Sequence, residues 1–231
     1  MDELTNLWFR EYQRSGIPSS YLHNPSGVME ILYKYLAENK ISLASKTAAD
    51  LGCGRGRNSI SLVKHNIHKV YSIDFVPVVI EALEKTAREL GFSNIIKPIC
   101  HDLSHPWPMP SNSLDLIIDI FCFKHQIDPK KEELYKNEIE RTLKKGGLML
   151  LDLAAIDDGF YGNLDKTEVG PNVFKVIDPK TGVGSHIYTK ESLLKEFPNF
   201  KLLKFLNDKK DGQMHGATYI RSTLKFLLRK N

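Results

Sequence analysis

Ala49-Asp50-Leu51-Gly52-Cys53-Gly54-Arg55-Gly56-Arg57-Asn58 is the stretch that decides how this chain folds. An apolar strand leads into it and a helical pattern leaves it, so one carboxylate and three alternating glycines stand at a strand-to-helix junction. Gly52 turns the chain without a Cβ penalty, while Gly54 and Gly56 leave room for close approach of a ligand or a packed helix. A nucleotide-like ligand can lie against bare backbone there. The spacing narrows the choice of ligand. A dinucleotide fingerprint puts glycines at relative positions one, three and six, whereas here the sixth position is Arg57 and the fifth is Gly56. A pyrophosphate favours amide donors and a helix N-terminus free of acidic neighbours. Asp50 points the other way, toward a ligand with an ammonium or sulfonium group.

Asp50, Gly52, Gly54 and Gly56 resemble the Asp-x-Gly-x-Gly-x-Gly loop that follows the first strand of class I S-adenosylmethionine-dependent methyltransferases. The resemblance implies that this loop embraces the methionine portion of S-adenosyl-L-methionine. It also implies a Rossmann-like methyltransferase fold: α/β, with a doubly wound, mostly parallel seven-stranded sheet and an antiparallel last strand. The residue pattern agrees with that expectation. Ser45–Leu51, Lys69–Ile73, Ile95–Cys100, Leu114–Ile120 and Leu148–Leu153 read as strands, with helices at Val28–Leu36, Arg57–Val63, Pro77–Leu90 and from Pro129 to about Leu143. Such an order favours right-handed crossovers and a doubly wound sheet. Within Pro77–Leu90 the apolar residues share one face, and Glu81–Lys85 and Glu84–Arg88 are spaced to pair on the other. Asp128 is placed to cap the helix opened by Pro129, and Lys144-Lys145-Gly146-Gly147 to stop it. Thr189–Phe197 reads as a short helix. Lys201–Leu206 and Ala217–Leu228 read as the last strands, joined by a polar Asp208–Gly212 connection.

Asp74 lies 24 residues beyond Asp50 at the end of its strand, where a carboxylate can accept both hydroxyls of a ribose. An N-capping aspartate would look the same locally, since Pro77 follows. The resemblance carries the ribose-binding role to Asp74, with Phe75 beside it. It likewise assigns Asp102 to an adenine amino group and Leu103 to the ring, and places Asp119 with the cofactor. Asp115 reads as structural and Trp107 as packing. The residues Asp119-Ile120-Phe121-Cys122-Phe123-Lys124-His125-Gln126 fall where the family borders the transferable methyl group. His125 is the candidate general base, with substrate binding or loop fixing as the alternatives. Tyr12, Phe121 and Tyr161 are candidate substrate-facing residues. His101 and His105 lack the cluster and spacing of a metal site, so no metal is expected.

Length permits one αβ domain over residues 1–231 with a sizeable core. Residues 1–44 read as an N-terminal helical cap whose aromatics, among them Trp8, Phe9, Tyr12 and Tyr21, either close the fold or cover the ligands. Residues 154–188 lack clear periodicity and read as a substrate-binding insertion or lid. The three cysteines, Cys53, Cys100 and Cys122, offer no disulfide scaffold, and neither a signal peptide nor a membrane span is evident, so a cytoplasmic protein is expected. The formal charge of +4 permits nucleic acid as a partner but does not favour it. No Asn/Asp-Pro-Pro-Tyr/Phe motif follows the fourth strand. Arg57 and Asn58 after the glycine turn, with the compact single-domain length, resemble small-molecule methyltransferases of the tellurite-resistance type, and the favoured reading is methyl transfer to a small-molecule N, O or S acceptor. An RNA or protein methyltransferase and a noncatalytic S-adenosylmethionine-binding protein stand as alternatives, and Arg57 disfavours a nicotinamide oxidoreductase. No sequence motif fixes the oligomeric state.

Overall fold

The computed structural model describes residues 3–14 and 22–231; Tyr21 lies outside the described residues. The central sheet takes its strands from β1 (Thr47–Leu51), β2 (Lys69–Asp74), β3 (Ile96–Cys100), β4 (Leu114–Ile120), β5 (Leu143–Ala154), β9 (Phe200–Met214) and β10 (Ala217–Lys230). Their order is β3-β2-β1-β4-β5-β10-β9. β1 to β5 pair in parallel, and β10 runs antiparallel to both β5 and β9. The expected seven-stranded, mostly parallel Rossmann-like sheet with an antiparallel last strand is what the chain forms.

The helices are α1 (Glu3–Arg14), α2 (Met29–Glu38), α3 (Arg57–Lys64), α4 (Pro77–Glu89), α5 (Pro129–Thr142) and α6 (Lys190–Glu196). Alternation along the strands sends side chains to opposite faces, giving two apolar layers. Ala49, Leu51, Ile117, Met149, Leu151 and Leu153 pack on one side with Tyr135 and Ile139 of α5. Ala48, Ile118, Leu148 and Leu150 pack on the other with Leu32 and Leu36 of α2 and Leu62 of α3. Asp128 caps α5 as its sequence suggests, accepting from the backbone N–H groups of Lys130 (2.9 Å) and Lys131 (3.2 Å). Asp115 is structural, bridging Lys46 (3.3 Å) and Lys144 (2.9 Å). Trp107 is buried in the core, its indole N–H donating to the Leu103 carbonyl.

Three differences from the sequence reading matter for the site. Residues 154–188 contain a three-stranded antiparallel sheet, β6 (Lys166–Gly170), β7 (Val173–Ile177) and β8 (Gly184–Tyr188). β6 is solvent-exposed along most of its length and β8 is buried throughout, so neither shows the alternation that betrays a half-buried strand. Second, Asp208–Gly212 is not a connection. It lies within the 15-residue strand β9, and the turn falls at His215-Gly216, both at positive φ. Third, on α4 Lys85 pairs with Glu89 (3.9 Å) rather than with Glu81. β5 opens at Leu143, directly after α5, so Lys144-Lys145-Gly146-Gly147 falls within that strand, with Gly146 in the left-handed region.

Candidate functional site

The sheet order reverses between β1 and β4, and the crevice outside the carboxyl ends of those strands is where an open α/β sheet receives a ligand. The loops after β1 and β4 meet there. A Cβ built on Gly52 would stand 2.8 Å from Cys122 Sγ, and one on Gly54 would stand 2.8 Å from the Tyr12 hydroxyl oxygen. Gly56 is different: its missing Cβ would lie 2.2 Å from Leu83 Cδ1, so its vacancy is filled by α4 and not by a ligand. All three glycines have φ between +53° and +79°.

A cavity of about 700 Å³ opens at this edge. That is within the usual range for ligand pockets. Gly52, Asp74, Phe75, Asp102, Leu103, Tyr12, Phe121, His125 and Tyr161 all line it, which gathers most of the sequence-derived candidates in one place. Asp74 Oδ2 accepts from Gly54 N–H (2.9 Å) and Oδ1 from Val76 N–H (3.0 Å), so it holds the glycine turn while facing the cavity. Asp102 accepts from Ser104 N–H (2.8 Å) and keeps its other oxygen near the His105 ring (3.4 Å). Tyr12 sits over the glycine turn and against Val76 and Val79, beside Phe75, on the Asp74 side of the cavity.

Asp50, Gly54, Gly56 and Asp119 do not line the cavity. The Ser59 hydroxyl donates to Asp50 Oδ2 (2.6 Å) and is itself met by the Ser72 hydroxyl (2.7 Å), so Asp50 ties β1 to α3 and β2. Asp119 accepts from the N–H groups of Cys122 (3.1 Å) and Phe123 (3.0 Å) and from the Tyr135 hydroxyl (2.6 Å). Its carboxylate shapes the turn after β4 and has no face toward the ligand space. Phe121, in that turn, is held at φ +63° with its N–H on the Asp152 carbonyl (2.8 Å). Such a conformation is uncommon for a bulky residue and costs energy that surrounding structure must supply.

His125 lines the cavity, and its surroundings favour the substrate-binding or loop-fixing alternative over that of a general base. Burial and the neighbouring Lys124 charge push its pKa down to about 3. Its Nδ1 lies 2.8 Å from the Gly184 carbonyl, an acceptor, so Nδ1 carries the proton and Nε2 the lone pair. A neutral imidazole with so low a pKa is a poor proton acceptor and a good fixed hydrogen-bonding wall. It also ties the turn after β4 to β8, with Trp8 packed edge-on at 5.0 Å.

Sequence reasoning missed the far wall. Asp152, Asp208, Lys210, Arg221, Thr223 and Lys225, from β5, β9 and β10, line the cavity too. For Asp152 a signal existed: it is the lone acid in Leu148–Leu153. The hairpin residues gave none, because only the register of β10 on β5, with Lys225 opposite Asp152, brings them in.

Four buried carboxylates therefore cluster at strand ends. Burial raises Asp50, Asp74 and Asp119 to about 6 and Asp152 to about 7. Because these folded-state values exceed the unfolded value near 3.8, the folded chain binds more protons between them, and this contribution to stability is lost as pH rises through 6 to 7. The melting temperature is expected to rise by several degrees from pH 8 to pH 5.5, followed by scanning fluorimetry. Groups held low, such as Asp115, titrate below that window. A flat or falling profile over this range would show that these carboxylates are not strained. A cation bound beside these carboxylates should favour their charged forms and flatten the profile.

The comparisons agree with the architecture. Residues 48–147 match a family model described as a methyltransferase domain. The chain superposes on the Burkholderia thailandensis 1,6-didemethyltoxoflavin-N1-methyltransferase with a TM-score of 0.68 at 15% identity, covering 99% of this chain and 87% of the other. The fold is that of class I S-adenosylmethionine-dependent methyltransferases, and the matched segment is similar to a methyltransferase domain. The tRNA N(3)-cytidine methyltransferase METTL2 of Gallus gallus is 32% identical over 118 residues, covering 48% of this chain and 30% of its own length. The tRNA N(3)-cytidine methyltransferase METTL2B of Homo sapiens is 34% identical over 116 residues, again with 48% and 30% coverage. The chain thus spans about 30% of the length of these curated relatives.

These relatives overturn the expected kinship with small-molecule enzymes of the tellurite-resistance type, and with it the preference for a small-molecule acceptor over nucleic acid. The Asn/Asp-Pro-Pro-Tyr/Phe motif is one way of presenting an amine, and its absence does not exclude a base. Formal charge summed over a whole chain is equally uninformative about one crevice. No helix among the described residues is long and apolar enough to cross a membrane. Among the described residues no three His, Cys, Asp or Glu side chains gather as a metal site.

Proposed function

We propose that this domain transfers a methyl group from S-adenosylmethionine to a base nitrogen of RNA, with cytidine as the first acceptor to test. The observation that carries the reading is one cavity whose lining brings residues at the ends of β1, β2 and β3 together with aromatic and charged residues that follow β4 or belong to β5, β9 and β10. Gly52, Asp74, Phe75, Asp102 and Leu103 form a half suited to an adenosine-like ligand. Phe121 and Tyr161 line the cavity together with Asp152, Arg221 and Lys225, an aromatic and charged group that suits a planar, polar base taken out of its stack. Likeness to tRNA cytidine methyltransferases supplies the acceptor class.

The cofactor, when bound, supplies an electrophilic methyl group on a positively charged sulfur, and transfer leaves a neutral thioether. The carboxylates of Asp74 and Asp152, which line the cavity, fit that charge, and Gly52 contributes its backbone to the same lining. Asp74 would hold the ribose hydroxyls and Asp102 the adenine amino group. An unprotonated ring nitrogen has a free lone pair, so no group need remove a proton before attack, in keeping with a neutral His125. The protein's part is alignment and exclusion of water. Tyr161 is buried between the Lys124 ammonium nitrogen, 3.4 Å from the ring centre, and the Arg221 guanidinium at 5.4 Å. Its position is further fixed by Asp158, which accepts from Tyr161 N–H (2.9 Å) and Arg221 Nε (2.8 Å). The insertion at 154–188 thus supplies one wall of the acceptor half.

The test is transfer of a radiolabelled methyl group to total tRNA, followed by nucleoside analysis. Label in a methylated cytidine supports the reading. Label retained by the cofactor across RNA pools, with small-molecule acceptors labelled instead, would end it.

A further inference from the structure

Within the acceptor half, one side chain lacks the partner its burial demands. Asp152 is 5% exposed, and among the described residues its Oδ1 has no hydrogen-bond partner. A buried carboxylate oxygen left unpaired is costly, so native structures keep few of them. The obvious partner is close yet committed elsewhere. Lys225 stands directly opposite Asp152 on β10, but its ammonium binds Asp208 Oδ2 at 2.5 Å. Asp208 also holds Lys210 (3.1 Å), so both ammonium groups bond to Asp208; they and the Thr223 hydroxyl still favour the Asp152 carboxylate, but none of them bonds to its Oδ1. Two-residue alternation places Asp152 on the face of Leu148 and Leu150, just past the last apolar layer, at the cavity wall.

The sheet order says which part of a bound pair Asp152 meets. Asp74 ends β2 and Asp152 lies near the end of β5, with β1 and β4 between them. Three strand spacings make this lateral separation about 14 Å. A ribose held at β2 leaves the β5 end for the acceptor. Asp152 is also joined to the aromatic wall, since its carbonyl fixes the N–H of Phe121 (2.8 Å).

We propose that Asp152 binds the acceptor directly, its carboxylate taking an N–H from an exocyclic amine next to the nitrogen that is methylated. This rests on the RNA-base reading above and deepens it: the site would select cytosine, which has such an amine, over uracil, which presents a carbonyl oxygen there. When the ring nitrogen gains a methyl and the base becomes cationic, the same carboxylate offsets the new charge. No other group is required at that position, because the step forms one N–C bond, breaks one S–C bond, and moves no proton.

The experiment compares wild type with Asp152→Asn, which keeps the shape but turns half of the group into a donor. Short single-stranded RNAs differing by one cytidine or uridine are titrated against protein saturated with S-adenosylhomocysteine, with methyl transfer measured in parallel. Affinity for S-adenosylhomocysteine should be unchanged by the substitution, which also reports that the variant is folded. Wild type should prefer the cytidine RNA about 10-fold or more, and the variant should lose that preference or shift it toward uridine, as expected for one discriminating hydrogen-bonding pair. A variant that methylates cytidine with unchanged preference overturns the assignment while leaving the RNA reading intact. Loss of S-adenosylhomocysteine affinity also overturns it, by placing Asp152 on the cofactor. Wild-type protein that neither methylates nor distinguishes the two RNAs sinks both the assignment and the reading beneath it.

Discussion

Asp74→Ala is expected to weaken S-adenosylmethionine binding about 100-fold or more, an effect of about 3 kcal/mol. Two losses combine in that figure. The first is direct, since a carboxylate facing the cavity at the end of β2 is placed to accept from two neighbouring ribose hydroxyls. The second is preorganisation. Asp74 holds Gly54 N–H at 2.9 Å and Val76 N–H at 3.0 Å, so its removal leaves two buried donors unpaired and releases the turn on which the ligand lies. Asp74→Asn should lose less, because its amide oxygen still accepts from one of these groups. Calorimetry with the methyl donor and its demethylated product decides the matter. Affinity within about twofold of wild type in a folded Asp74→Ala protein would remove the residue from the cofactor site.

Most of the cofactor half was legible because its information is local. The glycine turn and Asp74 occupy the ends of two adjacent parallel strands, and each strand announces itself by an apolar run. Register then follows from pairing Thr47–Leu51 with Lys69–Ile73. Asp50 and Asp119 show where local reading stops. Both sit at strand ends in the right motif, yet Ser59 claims one and Tyr135 with two backbone amides claims the other. Which way a carboxylate turns depends on donors 9 and 16 residues away, and a one-dimensional pattern carries no trace of them.

The acceptor half was less legible for a different reason. Asp208, Lys210, Arg221 and Lys225 reach the cavity only because a long hairpin folds back on β5 across the sheet. The polar run Asp208–Gly212 looks like a loop in sequence, whereas it lies within strand β9, where Asp208, Lys210, Asp211 and Gly212 line the cavity. The insertion hides its strands similarly. Lys166–Gly170 is polar throughout and is held by β7 rather than by an apolar face. Substrate class was misjudged on the same footing, because a missing motif after β4 says nothing about a wall supplied by β5 and β10.

Gly56→Ala should divide stability from binding, and here the three glycines part company. At φ +79° an alanine pays the left-handed penalty, roughly 1–2 kcal/mol, and its methyl would begin 2.2 Å from Leu83 Cδ1. Leu83 is fully buried in the layer formed with Leu62 and Val63, so it has little room to retreat. Overpacking of this kind adds about 1–3 kcal/mol. The total, about 2–5 kcal/mol, should lower the melting temperature by roughly 5 to 20 °C for a chain of this size. Affinity for S-adenosylmethionine measured on the folded fraction should change far less than in Gly54→Ala, where the added methyl meets the Tyr12 hydroxyl over the turn. A double-mutant cycle with Leu83→Ala separates the two contributions to the Gly56 effect. Shortening Leu83 is itself costly, but in its presence Gly56→Ala should lose the packing part and keep only the backbone part. If the two substitutions simply add, Leu83 is not what fills the vacancy at Gly56. If instead Gly56→Ala melts normally and loses cofactor affinity, Gly56 belongs with Gly52 at the ligand, as the sequence motif alone suggests.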